Sequence, residues 1–449
     1  MMKFLRVLCV LALALCVTAS VYAETQSVKV SGDLTMRGIA RNGYDYRGTV
    51  DESDSARNGT GRESYTSFAL TNAEVEVAAD LTDNVQTVIR LVNQREWNVA
   101  NKNIVMGTPI SDAQAGYTGT GGYALSADEY QVAVDLAYVT LKEFVYSPLT
   151  VTIGRQDLWF GKGFIVGANQ QDPTGMLVDA REYTTINSFD AIKAVLDYDP
   201  WTITGVYSNI RNNAVNAPDG IDLWGINVGY KFAEYKAEAE GYWFWKDDIS
   251  VEKWAAIKDK NSVHTFGVRG SLEPMDVLYL FGETAWQTGT YVGNRVQQNQ
   301  RDRSAFALDV GGEWKWLAEK LAWKPKFGAE YILYSGNNPE NTTQAAGTYN
   351  GWDMMYRGKF DSAIREYIGR FYNSFEYQPR QDVLDACADA SYTNQSQVVF
   401  SASATPVEAV TLKANYNLFW NMEPYLTDHF ASAAGGPVQG EQENKTGGF

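Results

Sequence analysis

The chain is poor in the residues that build disulfides and metal sites. It has three cysteines and two histidines in 449 residues, and Cys9 and Cys16 lie in an apolar N-terminal leader. Once the leader is removed only Cys387 remains, which excludes an internal disulfide and a cysteine-based zinc site. His264 and His429 are too few for a histidine-rich metal site, and a catalytic triad would depend on His264 with no serine assigned to it. We therefore predict a protein that is not an enzyme and that holds no cofactor.

The leader has the three parts of a secretory signal. Lys3 and Arg6 give it a basic start, residues 7–17 form a short apolar run, and small residues for cleavage end at Ala23. The run is too short for a transmembrane anchor. We predict a signal peptide at residues 1–23, cleaved near Ala23, and a single domain at residues 24–449.

Positive charge is also scarce. The chain has 38 Lys and Arg against 54 Asp and Glu, a net charge of -16. Nucleic acids select basic surfaces, so we expect no nucleic-acid partner. The excess acid fits solvated loops. Acidic clusters such as residues 51–54 are candidates for loop-bound calcium, although they lack the regular spacing of a calcium loop.

Long apolar runs are missing beyond Ala23, where no stretch approaches the roughly 18 residues of a spanning helix. Shorter segments alternate instead. Between residues 70 and 80, Val75 and Val77 share one face of a strand, and Glu74 and Glu76 share the other. A slip of one residue would exchange the two faces, so the register is well specified. Alternation of this kind over about ten residues is typical of strands in transmembrane β-barrels.

The alternating unit recurs and predicts about 15 strands. They cover residues 28–41, 70–80, 85–91, 131–142, 149–157, 189–197, 201–210, 221–231, 235–246, 263–272, 277–287, 304–316, 324–335, 395–405 and 410–420. Short connections contain Pro, Asp or Asn, which suit tight turns. Long connections span residues 42–64, 98–128, 158–186, 291–303 and 336–394. Long loops at one end only are hard to explain in a soluble sandwich.

We therefore predict an all-β fold, a transmembrane up-and-down antiparallel β-barrel of 16–18 strands with short periplasmic turns and long extracellular loops. It would lie in the outer membrane of a Gram-negative bacterium, contact membrane lipid and lipopolysaccharide, and need the barrel-assembly machinery. The 27 Tyr and 13 Trp exceed the needs of a soluble core and suit interfacial girdles. Residues 435–448 do not alternate, so we expect a missing closing strand; the alternative is an uncounted strand within residues 336–394.

The stretch from Asp135 to Lys193 resembles the alginate-export family of outer-membrane barrels. The similarity runs through Leu136-Ala137-Tyr138-Val139, Gly154-Arg155-Gln156-Asp157, the glycines at 161 and 167, and Phe189-Asp190-Ala191-Ile192-Lys193. Residues 283–289 are similar to a later segment of the family. The resemblance implies an 18-stranded monomeric barrel that passes an anionic polysaccharide, or smaller anions, through an arginine-lined lumen. Ala191 stands where the family usually has glycine.

Arg155 is the first candidate for the lumen. On the lipid face at the midplane an arginine would cost about 2–4 kcal/mol. Strict alternation puts Arg155 on the side of Ile153, so a lumenal position requires a bulge at Gly154. The alternative is an arginine at the barrel rim that contacts lipid headgroups or a loop carboxylate. Gln156 and Asp157 would orient the guanidinium.

Three more basic residues are candidates for the lumen: Arg90, Lys193 and Arg269. The alternative is that they pair with neighbouring carboxylates in an ordinary barrel wall, and the two interpretations are compatible.

A second candidate is the aromatic and basic stretch at residues 352–380. If this long loop folds into the mouth it forms a constriction that stacks sugar rings and attracts anions. Its candidate residues are Trp352, Tyr356, Arg357, Arg365, Tyr367 and Arg370. The alternative is an external cap with solvated charges.

These features predict a passive channel for anionic or sugar-like solutes, with an anionic polysaccharide or a small anion as its partner. The alternatives are a general diffusion porin with weak selectivity and a non-conducting surface adhesin or structural barrel.

Overall fold

The computed structural model describes residues 27–42, 65–97, 103–105, 124–126, 132–169, 183–211, 220–249, 260–292, 300–316, 321–337, 347–360, 362–366, 393–423 and 447–448. The predicted signal peptide and residues 51–54 lie outside these ranges. So do Tyr367 and Arg370.

The described chain is almost entirely β-strand. The strands are β1 Ser27–Asn42, β2 Tyr65–Thr82, β3 Val85–Glu96, β4 Asn103–Val105, β5 Ala124–Ser126, β6 Ala133–Leu141, β7 Leu149–Gln156, β8 Phe189–Asp197, β9 Trp201–Arg211, β10 Ile221–Phe232, β11 Ala237–Asp248, β12 Asn261–Met275, β13 Leu278–Val292, β14 Gln300–Lys315, β15 Lys326–Tyr334, β16 Gln395–Val407, β17 Val410–Asn421 and β18 Gly447–Gly448. Helical structure in the described residues includes a 3₁₀ turn, Ala233–Tyr235, and a short helix α1, Ala363–Glu366.

Sixteen of these strands form one antiparallel sheet in chain order, and β4 and β5 form a separate hairpin. The predicted all-β, up-and-down architecture is therefore confirmed. Several strands extend further than predicted; the β1–β2 ladder continues to the pair Asn42 and Tyr65. Within the described residues no ladder joins β1 to β17 or β18, so the sheet is unclosed there, and the missing closing strand stays a prediction.

The two faces of the sheet differ in chemistry. Side chains such as Trp224, Ile226, Phe266 and Val268 are exposed on the outer face. Exposed tryptophans lie near the short turns, at Trp201 and Trp314, and near the opposite strand ends, at Trp97 and Trp224. In the described ranges no helix is long and apolar enough to cross a membrane. The outer face has the apolar surface that strands present to lipid.

The buried hydrophobic cluster lies on the inner side of the sheet. It forms because parts of two predicted long connections return into the barrel; the sequence analysis allowed this for residues 352–380 and did not predict it for residues 158–169. We call residues 158–169 segment I and residues 347–360 with 362–366 segment II. Phe164 of segment I stacks on Trp352 of segment II and on Tyr334 of β15, with ring centroids 6.4 Å and 5.6 Å away. Burial of such large rings supplies the main stabilisation of both segments.

Candidate functional site

Segment I crosses the inside of the barrel. It leaves β7, the fifth strand of the sheet, and reaches β15, the thirteenth. Phe160 packs edge-on against Phe244 of β11, with ring centroids 5.0 Å apart. Further along, the Lys162 Nζ lies 3.3 Å from Glu330 Oε1 on β15 and 3.2 Å from the centre of the Phe281 ring. In a sixteen-stranded sheet a distance of eight strands places β15 on the opposite wall.

A turn at the tip of segment I allows this approach. The Gly163 N–H donates to the Phe160 carbonyl at 2.8 Å. Gly161 has a φ of +56°, and a Cβ there would lie 2.6 Å from Arg269 Cδ. Only glycine combines this left-handed backbone with the lack of a side chain. The tip therefore rests directly on the barrel wall.

Segment II is fixed to the wall by a buried ion pair. The Asp353 Oδ2 accepts a hydrogen bond from Lys246 Nζ of β11 at 2.6 Å, and both side chains are almost fully buried. Arg303 of β14 adds a second cation at 3.8 Å. Burial alone would raise the pKa of the Asp353 carboxyl, but the Lys246 ammonium and the Arg303 guanidinium hold that pKa below its ordinary value.

The side chain of Gln287 on β13 forms two hydrogen bonds with the backbone of Asp353. Its amide donates to the Asp353 carbonyl at 2.7 Å, and its carbonyl accepts from the Asp353 N–H at 2.8 Å. A glutamine that pairs with a peptide unit in this way satisfies a buried donor and a buried acceptor together. Segment II is thus held by charge and by backbone hydrogen bonds.

Backbone hydrogen bonds join the two segments to each other. Val166 and Tyr356 form a parallel bridge. The Gly167 N–H donates to the Tyr356 carbonyl at 2.7 Å, and the Gly358 N–H donates to the Gly163 carbonyl at 2.7 Å. Together the segments form one partition on the inner side of the sheet, which narrows the space that the wall encloses.

Arg90 lies on the inner face of β3 within a cluster of carboxylates. Its guanidinium is 2.6 Å from Asp135, 3.3 Å from Asp157, 4.0 Å from Glu74 and 3.9 Å from Glu76. The register between β3 and β6 skips Asp135, which forms a bulge that turns its carboxylate inward. Asp135 is fully buried and also accepts a hydrogen bond from Ser188 Oγ at 3.1 Å.

Lys193 lies on the inner face of β8, close enough to Asp157 to interact with its charge. Arg269 lies on the inner face of β12, where it pairs with Glu238 and Glu240 of β11. The structure therefore brings Arg90, Asp157 and Lys193 together and places Arg269 in a separate group. Each of these basic residues interacts with carboxylates, as the wall-network alternative expects.

The structure places Arg155 on the outer face, against the lumenal expectation. β7 pairs with β6 and β8 without a register shift, so no bulge occurs at Gly154. Arg155 stands opposite Asp190, on the same face as the exposed Ile192. Its Nε donates to the Val134 carbonyl at 2.9 Å, and its Nη1 lies 4.0 Å from Asp190. Because the alternation is not interrupted, Arg155 points outward near the end of β7, as the rim alternative predicts.

Gln156 points inward but is buried. Its amide donates to the backbone carbonyl of Ala191 at 2.9 Å and to that of Thr152 at 3.2 Å. The bond to Ala191 ties β7 to β8, and the bond to Thr152 stays within β7. Gln156 therefore has a structural position rather than one that orients Arg155.

The candidates on segment II lie inside the barrel. Trp352 and Tyr356 are each 1% exposed, so neither ring presents a free face to a solute. The Arg357 guanidinium stacks on the Phe360 ring, with its centre 3.9 Å away. Arg365 is 2.9 Å from Glu330. These side chains build the partition instead of lining a passage, which differs from the sugar-stacking role expected of Trp352 and Tyr356.

Segment I was missed by the sequence analysis as a functional element. Its signal is the sequence from Phe160 to Gly167, which combines three glycines with four apolar residues and a single lysine. A solvated loop has no need of Phe164, Ile165 and Val166, all of which are buried here. The ion pair of Lys246 with Asp353 was missed too, because the local sequence of neither residue indicates a partner 107 residues away.

Within the described ranges no group of His, Cys, Asp and Glu residues could hold a metal ion.

Comparison with known proteins gives one family match. The family described as alginate export matches residues 40–447. No curated protein matches the chain.

Solved structures with similar shape include the outer membrane channel DcaP of Acinetobacter baumannii, at 10% identity, with 88% of this chain and 91% of that chain covered and a TM-score of 0.44. Pseudomonas putida OprB has 12% identity, coverage of 87% and 89%, and a TM-score of 0.46. Acinetobacter baumannii OccAB1 has 11% identity, coverage of 89% and 83%, and a TM-score of 0.46. At this level of similarity they add nothing to the family match.

Proposed function

This chain belongs to the alginate export family, an outer-membrane channel family of Gram-negative bacteria, and we propose that it is a passive channel for anionic or sugar-like solutes. A passive channel needs only a wet passage whose charges favour one class of solute over water. The observation that carries the proposal is the partition formed by segments I and II. It narrows the barrel without replacing the polar wall at β2, β3, β6, β7 and β8.

Charge distribution supports a hydroxyl-rich solute. The wall at Arg90 offers one guanidinium among four carboxylates, with Lys193 beside them. Hydroxyl groups donate to carboxylates and accept from guanidinium and ammonium groups, so a sugar satisfies both signs of charge. An anionic group on the sugar would pair with Arg90 or Lys193. Lipid and lipopolysaccharide contact the exposed outer face, and the barrel-assembly machinery inserts the protein.

Ion current through the purified protein in planar bilayers tests the proposal. We expect discrete conductance steps and reversible reduction of the current by saccharides or their acids. Reversal potentials in a salt gradient measure the ion preference. Steps that no saccharide affects would favour the general diffusion porin. The complete lack of conductance by correctly folded protein would leave the adhesin or structural barrel.

A further inference from the structure

One large aromatic ring of the partition is exposed. Trp159 of segment I is 54% exposed, although its neighbours Leu158 and Phe160 pack against the wall. Segment I lies on the inner side of the sheet and the ring packs on Gly167 and Gly358 of the partition, so its exposed face opens into the space that the wall encloses. An indole exposed in this way normally loses stabilisation unless it has a partner to cover it.

The ring is held rigidly by three glycines. Its Nε1 donates to the Gly161 carbonyl at 2.9 Å. A Cβ on Gly163, Gly167 or Gly358 would lie 2.8 Å, 2.9 Å and 2.5 Å from atoms of the ring. The backbones of segments I and II therefore form a floor on which the indole rests, and no side chain intervenes. A ring that is already fixed loses little conformational freedom when a ligand covers it.

Polar groups lie on the same side of the chain. Burial alternates from Asp157 to Phe160, with Asp157 and Trp159 exposed and Leu158 buried. In an extended backbone residues two apart point the same way, roughly 7 Å from each other. The Asp157 carboxylate, two residues before Trp159, is 3.3 Å from the Arg90 guanidinium, so a hydrogen-bond acceptor and a cationic donor lie together at this point of the chain.

We propose that Trp159, with Asp157 and Arg90, forms a binding subsite for one pyranose ring of a passing saccharide. The apolar C–H face of the sugar covers the indole, whose face is electron-rich. The sugar hydroxyls donate to Asp157 and accept from Arg90. This subsite rests on the proposed channel function and adds to it the class of solute group and the residue that receives it.

Saccharide block of the ion current tests the subsite. The probes are maltohexaose, which is neutral, and an oligomannuronate of the same length. We expect at least one to block the wild-type channel, and Trp159→Leu to weaken that block roughly fivefold, the loss expected for one aromatic contact of ordinary strength. Trp159→Phe retains a smaller ring, so its block should be weaker than that of the wild type and stronger than that of Trp159→Leu. The oligomer that blocks shows whether the subsite takes neutral or acidic sugars.

Trp224→Leu is the matched control, since it removes an exposed indole from the outer face and should leave the block unchanged. Conductance in salt alone reports whether the partition keeps its shape. If Trp159→Leu alters that conductance, the saccharide block of Trp159→Phe is compared with that of the wild type instead. Equal block of wild-type and Trp159 variants, or conductance that neither oligomer affects, would overturn the subsite while the channel stands. Folded protein that does not conduct would overturn the channel and the subsite together.

Discussion

Asp353→Asn should release segment II from the barrel wall. The wild-type carboxylate meets Lys246 Nζ at 2.6 Å in a site that is closed to water. An asparagine removes the carboxylate charge that faces the buried Lys246 ammonium, and loss of one partner of a buried ion pair costs about 3–5 kcal/mol. Since each 1.4 kcal/mol is a factor of ten, about 3 kcal/mol raises the population of the detached segment roughly a hundredfold.

Two measurements report this release. Single-channel recordings should show larger or noisier conductance, because the partition no longer fills the same part of the lumen. Trypsin should cut faster after Arg357 and Lys359 of segment II, since local opening exposes them. The double variant Lys246→Met with Asp353→Leu replaces both charges by apolar groups and should recover part of the lost stability, because Arg303 still loses the carboxylate 3.8 Å away.

Asp247→Asn is the control for a general effect of charge. Its partner Lys260 lies 2.7 Å away, but the pair is partly exposed on the strand ends, where ion pairs contribute about 0–1 kcal/mol. It should leave conductance and proteolysis as in the wild type. If Asp353→Asn also behaves like the wild type, the ion pair does not fix segment II and the reasoning is wrong.

Three further outcomes are expected. Gly161→Ala should cost about 1–3 kcal/mol locally, because its φ is +56° and the new Cβ meets Arg269, and trypsin should then cut faster after Lys162; unchanged cleavage would argue against the tip geometry. Arg155→Gln should leave the reversal potential in a salt gradient unchanged, since the side chain faces outward; a clear shift would return it to the lumen. The Asp353 pKa is depressed, so its stabilisation is present above the ordinary carboxyl pKa of about 3.9 and is lost as pH falls through the lower folded value. The difference in conductance between the wild type and Asp353→Asn should therefore be constant from pH 7 to about pH 5, because other carboxyl groups titrate alike in both proteins. A change in that difference within this window would contradict the assignment.

The alternating pattern was enough to predict which residues form the wall. Glu76 of β2 stands opposite Arg90 of β3, as required by the apolar residues that alternate with them on the outer face. Register in a two-faced sheet is local information, because each residue's side of the strand follows from its neighbours. Proline and aspartate at the short turns, such as Asp199-Pro200, marked the strand ends for the same reason.

Arg155 is the residue whose predicted orientation departed from the alternating pattern. Alternation alone put it outside, and the cost of a charge in lipid suggested that Gly154 would turn it inward. The glycine has another use: a side chain there would collide with the Ala137 carbonyl of β6. The desolvation cost is avoided because the arginine stands near the strand end, opposite Asp190 and bonded to a backbone carbonyl.

The alternation of apolar and polar residues was enough to predict the two-faced strands and their order, because both depend on contacts between strands that are neighbours in the chain. The inward turn of segments I and II is visible only in the folded protein. That choice depends on pairs such as Lys246 with Asp353, 107 residues apart, and Lys162 with Glu330, 168 residues apart. Such pairs meet only after the wall has curved, so no local pattern records them. The burial of Trp352 in the partition and the exposure of Trp159 depend on the same long-range packing.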